Sequence, residues 1–346
     1  MTRPILEADK HKTLGDRVAY FLFLFAILLS AVTYGGIAYK FDWFPVYQMK
    51  EAYRSLVQLR KSLQPKWYMR LPLHGDLARI YNPEMLQNGL IMVVGVGSDM
   101  RNFVRVVDRN GTVIHEWKPD WFEIWKQRSD RFPEHCVLKS QLGALIHRVK
   151  IADNDNLIFN FEHLSTVCLD PKGKVIWKLD NLGHHSVHLD AYDNVWVCSE
   201  RFIPEGDTGI PNHSSPFNSW AIQKISPDGD ILRTIEVADI LIQNDLLGLL
   251  HMSTIANDDT SVSGDTLHLN DVKTFSPEWE SEDFAPGDLL VSLRNINTVM
   301  VVDQKTLKVK HRWTGQMLRQ HDPHFAGASS VEVYDNRNNA PRGGDH

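Results

Sequence analysis

The stretch TVCLDPKGKVIWKL, Thr166 to Leu179, decides the fold. Two β-branched, apolar runs flank Asp170-Pro-Lys-Gly173, and Gly173 supplies the positive φ that a tight hairpin turn requires. The pattern recurs as VRVVDRNGTVIHEW (104–117), IQKISPDGDILRTI (222–235) and, without the glycine, VMVVDQKTLKVKHRW (299–313). Each copy reads as a strand, a D-x-x-G turn or a variant of it, and a second strand that often ends in Trp. A further hairpin precedes each of the later three copies, marked by DNLIFNF (155–161), DNVWVCS (193–199) and GDLLVSL (287–293). Tandem units of about four strands over roughly 40–80 residues predict an all-β chain folded as a β-propeller. A stacked β-sandwich pair is the alternative, and it leaves the repeat unexplained.

Composition agrees with a folded body. The chain has 346 residues, of which 43% are hydrophobic and 23% charged, and this excludes a disordered or collagen-like chain. Its net charge of −6 argues against nucleic acid as a partner, which favours a basic face. Three cysteines, Cys136, Cys168 and Cys198, are too few for a disulfide framework and show no CxxC spacing for zinc.

Residues Val18 to Tyr39, VAYFLFLFAILLSAVTYGGIAY, carry no charge over 22 residues. A helix of that length crosses a hydrocarbon core of about 30 Å. The run is longer than the roughly 7–15 apolar residues of a cleaved signal, so an uncleaved single-pass anchor is expected. Arg3, Lys10, Lys12 and Arg17 precede it, against Lys40, Lys50 and Arg54 after it. That balance places residues 1–17 in the cytoplasm, 18–39 in a bacterial inner membrane and the bulk of the chain on the periplasmic side. Residues 40–65 read as a helical neck bounded by Pro45 and Pro65, ahead of a propeller domain over 66–346. Two stretches, 119–132 and 237–256, read as short helical insertions between strand units, on a functional face or simply packed.

Successive units begin their first strand with histidine: His147, His184-His185, His268 and His321. Innermost propeller strands line one axis, so these rings are expected to converge. Arg294 follows an inner hairpin and joins them, and Asn270 and Asp271 accompany His268. Three readings of such a cluster stay open on the residues alone. The rings could only hydrate the channel, among 16 histidines in all. They could hold Zn²⁺ or Cu²⁺, although no local spacing matches a metal motif and a fixed arginine opposes a cation. With the arginine they could also bind an anion.

At these motifs the chain resembles the bacterial arylsulfotransferase (aryl sulfate sulfotransferase) family, in a membrane-anchored branch. The matching stretches are NLGHHSVHLDAYDNVWVCS (181–199), DTLHLNDVKTF (265–275), GDLLVSLRNINTVMVVD (287–303) and QHDPHF (320–325), in order over roughly residues 80 to 335. The resemblance implies a six-bladed propeller. A sixth blade needs about 40 residues more than follow the QHD stretch. The last blade is therefore expected to be incomplete, or to close with strands from 66–88. FAGASSVEVYDN also replaces the usual Asn-Gly or Asp-Gly hairpin there.

The implied activity moves a sulfuryl group from a phenolic sulfate donor to a phenolic acceptor, with no nucleotide donor, no cofactor and no metal. By the same resemblance His321 is the nucleophile. His268 and Asn270 hold sulfuryl oxygens, and Arg294 neutralises their charge. His185, or else His184, serves as acid or base. The chemistry is sound on general grounds. Neutral imidazole is a competent nucleophile near pH 7, and sulfuryl transfer, like phosphoryl transfer, needs mainly in-line placement and charge stabilisation. Trp220 and Trp279 are loose candidates to hold an aromatic ring, with core packing as the blander role. Two other functions fit the same features: a non-catalytic membrane-anchored propeller that scaffolds a membrane complex, and a metal or anion sensor. Homodimerisation is compatible with all three.

Overall fold

The structure is a computed structural model that describes residues 13–41, most of 43–56 and most of 85–336. The chain divides into two compact units, Met1–Leu77 and Ala78–His346. The boundary expected after residue 65 and most of the closing strands expected in 66–88 lie outside the described residues, as does Cys136.

In the first unit, Leu14–Phe41 forms one 28-residue helix, long and apolar enough to cross a membrane. Thr13 Oγ1 accepts from the Asp16 backbone N–H at 3.2 Å and donates to the Asp16 carboxylate at 2.8 Å, and Lys40 falls in the last turn. The acid near the start and the base near the end both suit the helix dipole. Past Pro45 the described residues of the expected neck are helical as far as Leu56; residues 57–63 lie outside the description.

The second unit is built from antiparallel sheets in simple chain order. The first holds β1 (Ile91–Val96), β2 (Asn102–Val107) and β3 (Val113–Trp117). The second holds β4 (Ile146–Ile151), β5 (Leu157–Phe161), β6 (Ser165–Leu169) and β7 (Val175–Leu179). The third holds β8 (Gly183–Leu189), β9 (Val195–Ile203), β10 (His213–Ile225) and β11 (Ile231–Glu236); β12 (Val262–Gly264) adds to it beside β10. The fourth holds β13 (Leu269–Thr274), β14 (Leu289–Leu293), β15 (Thr298–Val302) and β16 (Val309–Thr314), and the last described sheet pairs β17 (His321–Phe325) with β18 (Val331–Tyr334). First strands pack on first strands, β4 on β8, β8 on β13 and β13 on β17. This is a β-propeller, with five of its sheets among the described residues.

The recurring turn explains the repeat. Asp108 Oδ1 accepts from Asn110 N and Thr112 N at 2.9 and 2.8 Å, and Asp170 Oδ1 from Lys172 N and Lys174 N at the same two distances. In the fourth copy Asp303 Oδ1 accepts from Lys305 N and Thr306 N, and in the third Ser226 Oγ accepts from Asp230 N. The leading Asp is thus the acceptor that ties its own turn. The trailing Trp clasps the next sheet. Trp117 Nε1 donates to the Asp170 carbonyl at 3.0 Å and Trp177 Nε1 to the Pro227 carbonyl at 2.9 Å. Arg233 does the same in the third unit, to the Gln304 carbonyl at 2.5 Å. Gly229, at φ +94°, lets the Trp177 ring lie against the turn: a Cβ there would fall 2.6 Å from Trp177 Cγ.

Both expected insertions are short and packed. Trp121–Ile124 is a single helical turn, capped by the Asp120 carboxylate, with Trp121 edge-on to Phe161. Val237–Gln243 buries Val237, Ala238, Ile240 and Leu241 in the largest core cluster, and Leu247–His251 follows as 3₁₀ helix.

Candidate active site

The first strands of four sheets each slip in register against the second strand beside a histidine. Along β8 the register pairs His184 with Cys198 and next Val187 with Val197, so His185 and Ser186 share one step of the partner strand. β4 slips between Ile146 and Val149, β13 between Leu269 and Asp271, and β17 between His321 and His324. A bulge of this kind bends the strand and re-aims its side chains. His185 (φ +45°), His268 (φ +52°) and Asp322 (φ +49°) occupy the left-handed region, which costs a non-glycine residue on the order of 1 kcal/mol or more and tends to cluster at functional sites. Gly183 allows the approach: a Cβ there would sit 2.6 Å from Thr166 Oγ1 and 2.7 Å from Asn160 Oδ1, and Asn160 Nδ2 donates to the Ser186 carbonyl.

The bulges bring the histidines together. His147 Nε2 lies 2.7 Å from His185 Nδ1. His268 Nε2 lies 3.1 Å from His184 Nε2 and 3.2 Å from His185 Nε2. The His321 ring is 5.4 Å from that of His185, edge to face. Arg294, in the 3₁₀ turn after β14, donates its backbone N–H to the His268 carbonyl at 3.0 Å, and its Nε to Asn295 Oδ1. Its guanidinium stands in the field of Asp265, Arg319 and Glu162. Asn270 anchors β13 to β17 by donating Nδ2 to the Gln320 carbonyl, while its Oδ1 is buried with no hydrogen-bond partner. The expected residues therefore meet around one centre.

Sequence reading did not single out His163, Glu162, Glu200 or Asp265. His163, in the turn between β5 and β6, stacks on His184 at 3.9 Å, and its Nδ1 meets Glu200 Oε2 at 2.6 Å. Asp265 holds His268 Nδ1 at 2.5 Å and accepts from Trp220 Nε1 at 2.9 Å. The one available signal was local, an acid three residues ahead of His268. Trp220 is buried, with its ring 5.3 Å from those of both His184 and His268. Trp279 is exposed and packs on Phe275, at 5.7 Å between rings.

Burial sets the charge of the cluster. It holds His184 and His185 well below the ordinary imidazole range, and neighbouring imidazoles push the same way. Burial also lowers His268, against the pull of Asp265. It lowers His321 too, against the Arg319 carbonyl and helped by Arg294. His163 goes the other way: burial pulls it down, but the bond to Glu200 together with the charges of Glu200, Glu162 and Asp265 outweighs that. At neutral pH His184, His185, His268 and His321 are thus neutral imidazoles. His321 Nδ1 lies 3.0 Å from the Arg319 carbonyl and 2.6 Å from Asn336 Nδ2. Donation of Nδ1–H to the carbonyl leaves Nε2 with its lone pair, whereas acceptance from Asn336 Nδ2 puts the proton on Nε2; attack by Nε2 uses the first tautomer.

A sequence model of arylsulfotransferases (ASST) matches residues 148–345, more than half of the chain. The chain belongs to the arylsulfotransferase family. Membership ties it to sulfuryl transfer at a general level and to aryl substrates as a class. No curated protein matches the chain. Among solved structures, virginiamycin B lyase from Staphylococcus aureus is 10% identical with a TM-score of 0.31, over 70% of this chain and 76% of that one. Dihydro-heme d1 dehydrogenase NirN is 12% identical at 0.34, over 72% and 42%, and the Dos1 propeller 10% identical at 0.33, over 71% and 53%. Likenesses this loose bear on neither substrate nor reaction.

Proposed function

We propose that the protein moves a sulfuryl group from an aryl sulfate to a phenolic acceptor through His321. The observation that supports this reading is the meeting of His185, His268, His321 and Arg294, drawn from three separate sheets of a family member. His321 Nε2 attacks sulfur, the sulfur–aryl oxygen bond breaks, and the phenolate takes a proton from a neighbouring imidazolium, formed by uptake of a proton from water when the anionic donor binds. An acceptor phenol then gives its proton to the same group, attacks sulfur, and frees His321. Two steps at one residue give ping-pong kinetics. Arg294 stabilises charge on the sulfuryl oxygens. An incoming sulfate raises the proton affinity of His268, and Asp265 balances the charge that develops on Nδ1. Asn270 and His184 complete the binding wall. The helix Leu14–Phe41 anchors the chain in a membrane, with the propeller on the extracytoplasmic side.

The test uses full-length protein in detergent with p-nitrophenyl sulfate and a panel of phenols. Transfer, with a sulfuryl mass increment on His321 when the acceptor is withheld, supports the reading. Absence of both overturns it, and stoichiometric co-purifying partners with full function of His321→Ala would favour the scaffold reading instead.

A further inference from the structure

Beside the residues given to sulfuryl transfer the cluster holds two further imidazoles, His147 against His185 and His163 against His184. His147, His184 and His185 each offer a ring nitrogen, and the three atoms lie within 4.8 Å of one another. Glu162 and His163 form a second such triple with His184.

Protons can be traced inward from the carboxylates. Asp265 takes the Nδ1–H of His268, which leaves the lone pair on His268 Nε2. His184 Nε2 and His185 Nε2 both point at that atom, at 3.1 and 3.2 Å, and bond to it only as N–H donors. Each neutral ring then turns a bare Nδ1 the other way. That of His184 is buried with no hydrogen-bond partner. That of His185 lies 2.7 Å from His147 Nε2. His147 faces Glu162 through Nδ1 at 3.4 Å and His185 through Nε2, so one proton serves the two rings there while His184 Nδ1 has none to meet. A cation among the three rings takes a lone pair from each and gives the orphaned nitrogen a partner.

The surrounding charge agrees. Glu162, Glu200 and Asp265 ring the cluster, against Arg294 and Arg319. Carboxylates behind the rings of His147 and His268 are the partners that orient imidazoles in metal sites. His147 is about one third exposed, so one face stays open. Three imidazoles with an open position suit a zinc-class ion.

We propose that His147, His184 and His185 bind a divalent transition-metal ion of the zinc class. The ligands come from β4 and β8, 37 residues apart between His147 and His184, which is why no local spacing announced them. The site is argued from the geometry of the rings and does not rest on the sulfuryl-transfer reading.

The test is a metal titration of full-length protein, purified in detergent without a histidine tag and stripped by chelator. About one equivalent of Co²⁺ should bind with the visible bands of a four-coordinate ion, and Zn²⁺ should bleach them. His147→Gln, at a partly exposed ring, should weaken binding by more than the ~10–100-fold that loss of an outer partner costs. His321→Ala should bind as wild type does. No saturable uptake by the folded wild-type chain, or uptake unchanged in both His147→Gln and His184→Gln, overturns the proposal. A protein that binds the ion but transfers no sulfuryl group overturns only the catalytic reading.

Discussion

Two layers of the same inner strands make an instructive pair. The histidine layer, formed by His147, His184, His185, His268 and His321, has imidazole facing imidazole. A residue or two along lies a layer of fixed charges. Asp322 Oδ1 there meets Arg148 Nη2 at 2.5 Å and Lys273 Nζ at 2.6 Å. The fully buried Asp271 is braced by Ser186 and lies between the same two cations. Burial raises the Asp271 carboxyl, while Lys273 and Arg148 hold Asp322 low against the opposing effect of its own burial. The charged layer neutralises itself and so locks the blades. The histidine layer leaves its demands unmet by its own members, and that is the mark of a site that acts on something else.

The sharpest way to break this contrast is to remove one member of each layer. His321→Ala should lower sulfuryl transfer on the order of 10³-fold or more with the melting temperature almost unchanged. Arg294→Ala should cost roughly 10²–10³-fold in kcat, read with the same assay. Asp271→Ala should do the reverse. It leaves Arg148 and Lys273 to Asp322 alone, strips Ser186 of its acceptor and should cost about 1–3 kcal/mol in denaturant unfolding, with turnover per folded molecule intact. If Asp271→Ala instead spares stability and abolishes transfer, the division between the layers is wrong.

Acid sharpens the comparison further. His188 is held at about 4, chiefly by burial. His184, His185, His268 and His321 are displaced in the same direction. A histidine with a lowered folded value takes up its proton on unfolding, so its stabilisation is complete above about 6.5 and is lost as the pH falls from there toward the folded value. His163 and Asp271, both raised, oppose this. With His213 displaced downward by its burial as well, six groups against two predict a melting temperature at least about 2–4 °C lower at pH 5 than at pH 7. His188→Gln should shrink that difference. The smallest effect belongs to the clasps: Trp177→Phe keeps most of the ring but loses its bond to the Pro227 carbonyl, for about 1 kcal/mol.

The hairpin repeat was legible because the turn chemistry is local. Asp108, Asp170 and Asp303 bond within four residues, and the predicted copies are β2–β3, β6–β7, β10–β11 and β15–β16. The convergence of His147, His184, His185, His268 and His321 was legible because equivalent strands repeat. The bulges were not, since a register slip is decided by pairing with a distant strand. Nor were the carboxylates: Glu200 reaches His163 from the far side of β9, a link that spans 37 residues. The helix expected over 119–132 is reduced to one turn, Trp121 packing on Phe161 while Phe132 folds back onto Trp121 and Trp125 rather than continuing one helical face.

A slipped register recurs at the inner strand of four of the five described sheets. A cavity assembled from copies of one local kink is modular. Replacing a side chain at the kink of one blade alters one wall while the hydrogen-bonded frames of the others stand. Donor and acceptor preferences can therefore drift independently, one blade at a time, on a scaffold whose stability is held elsewhere.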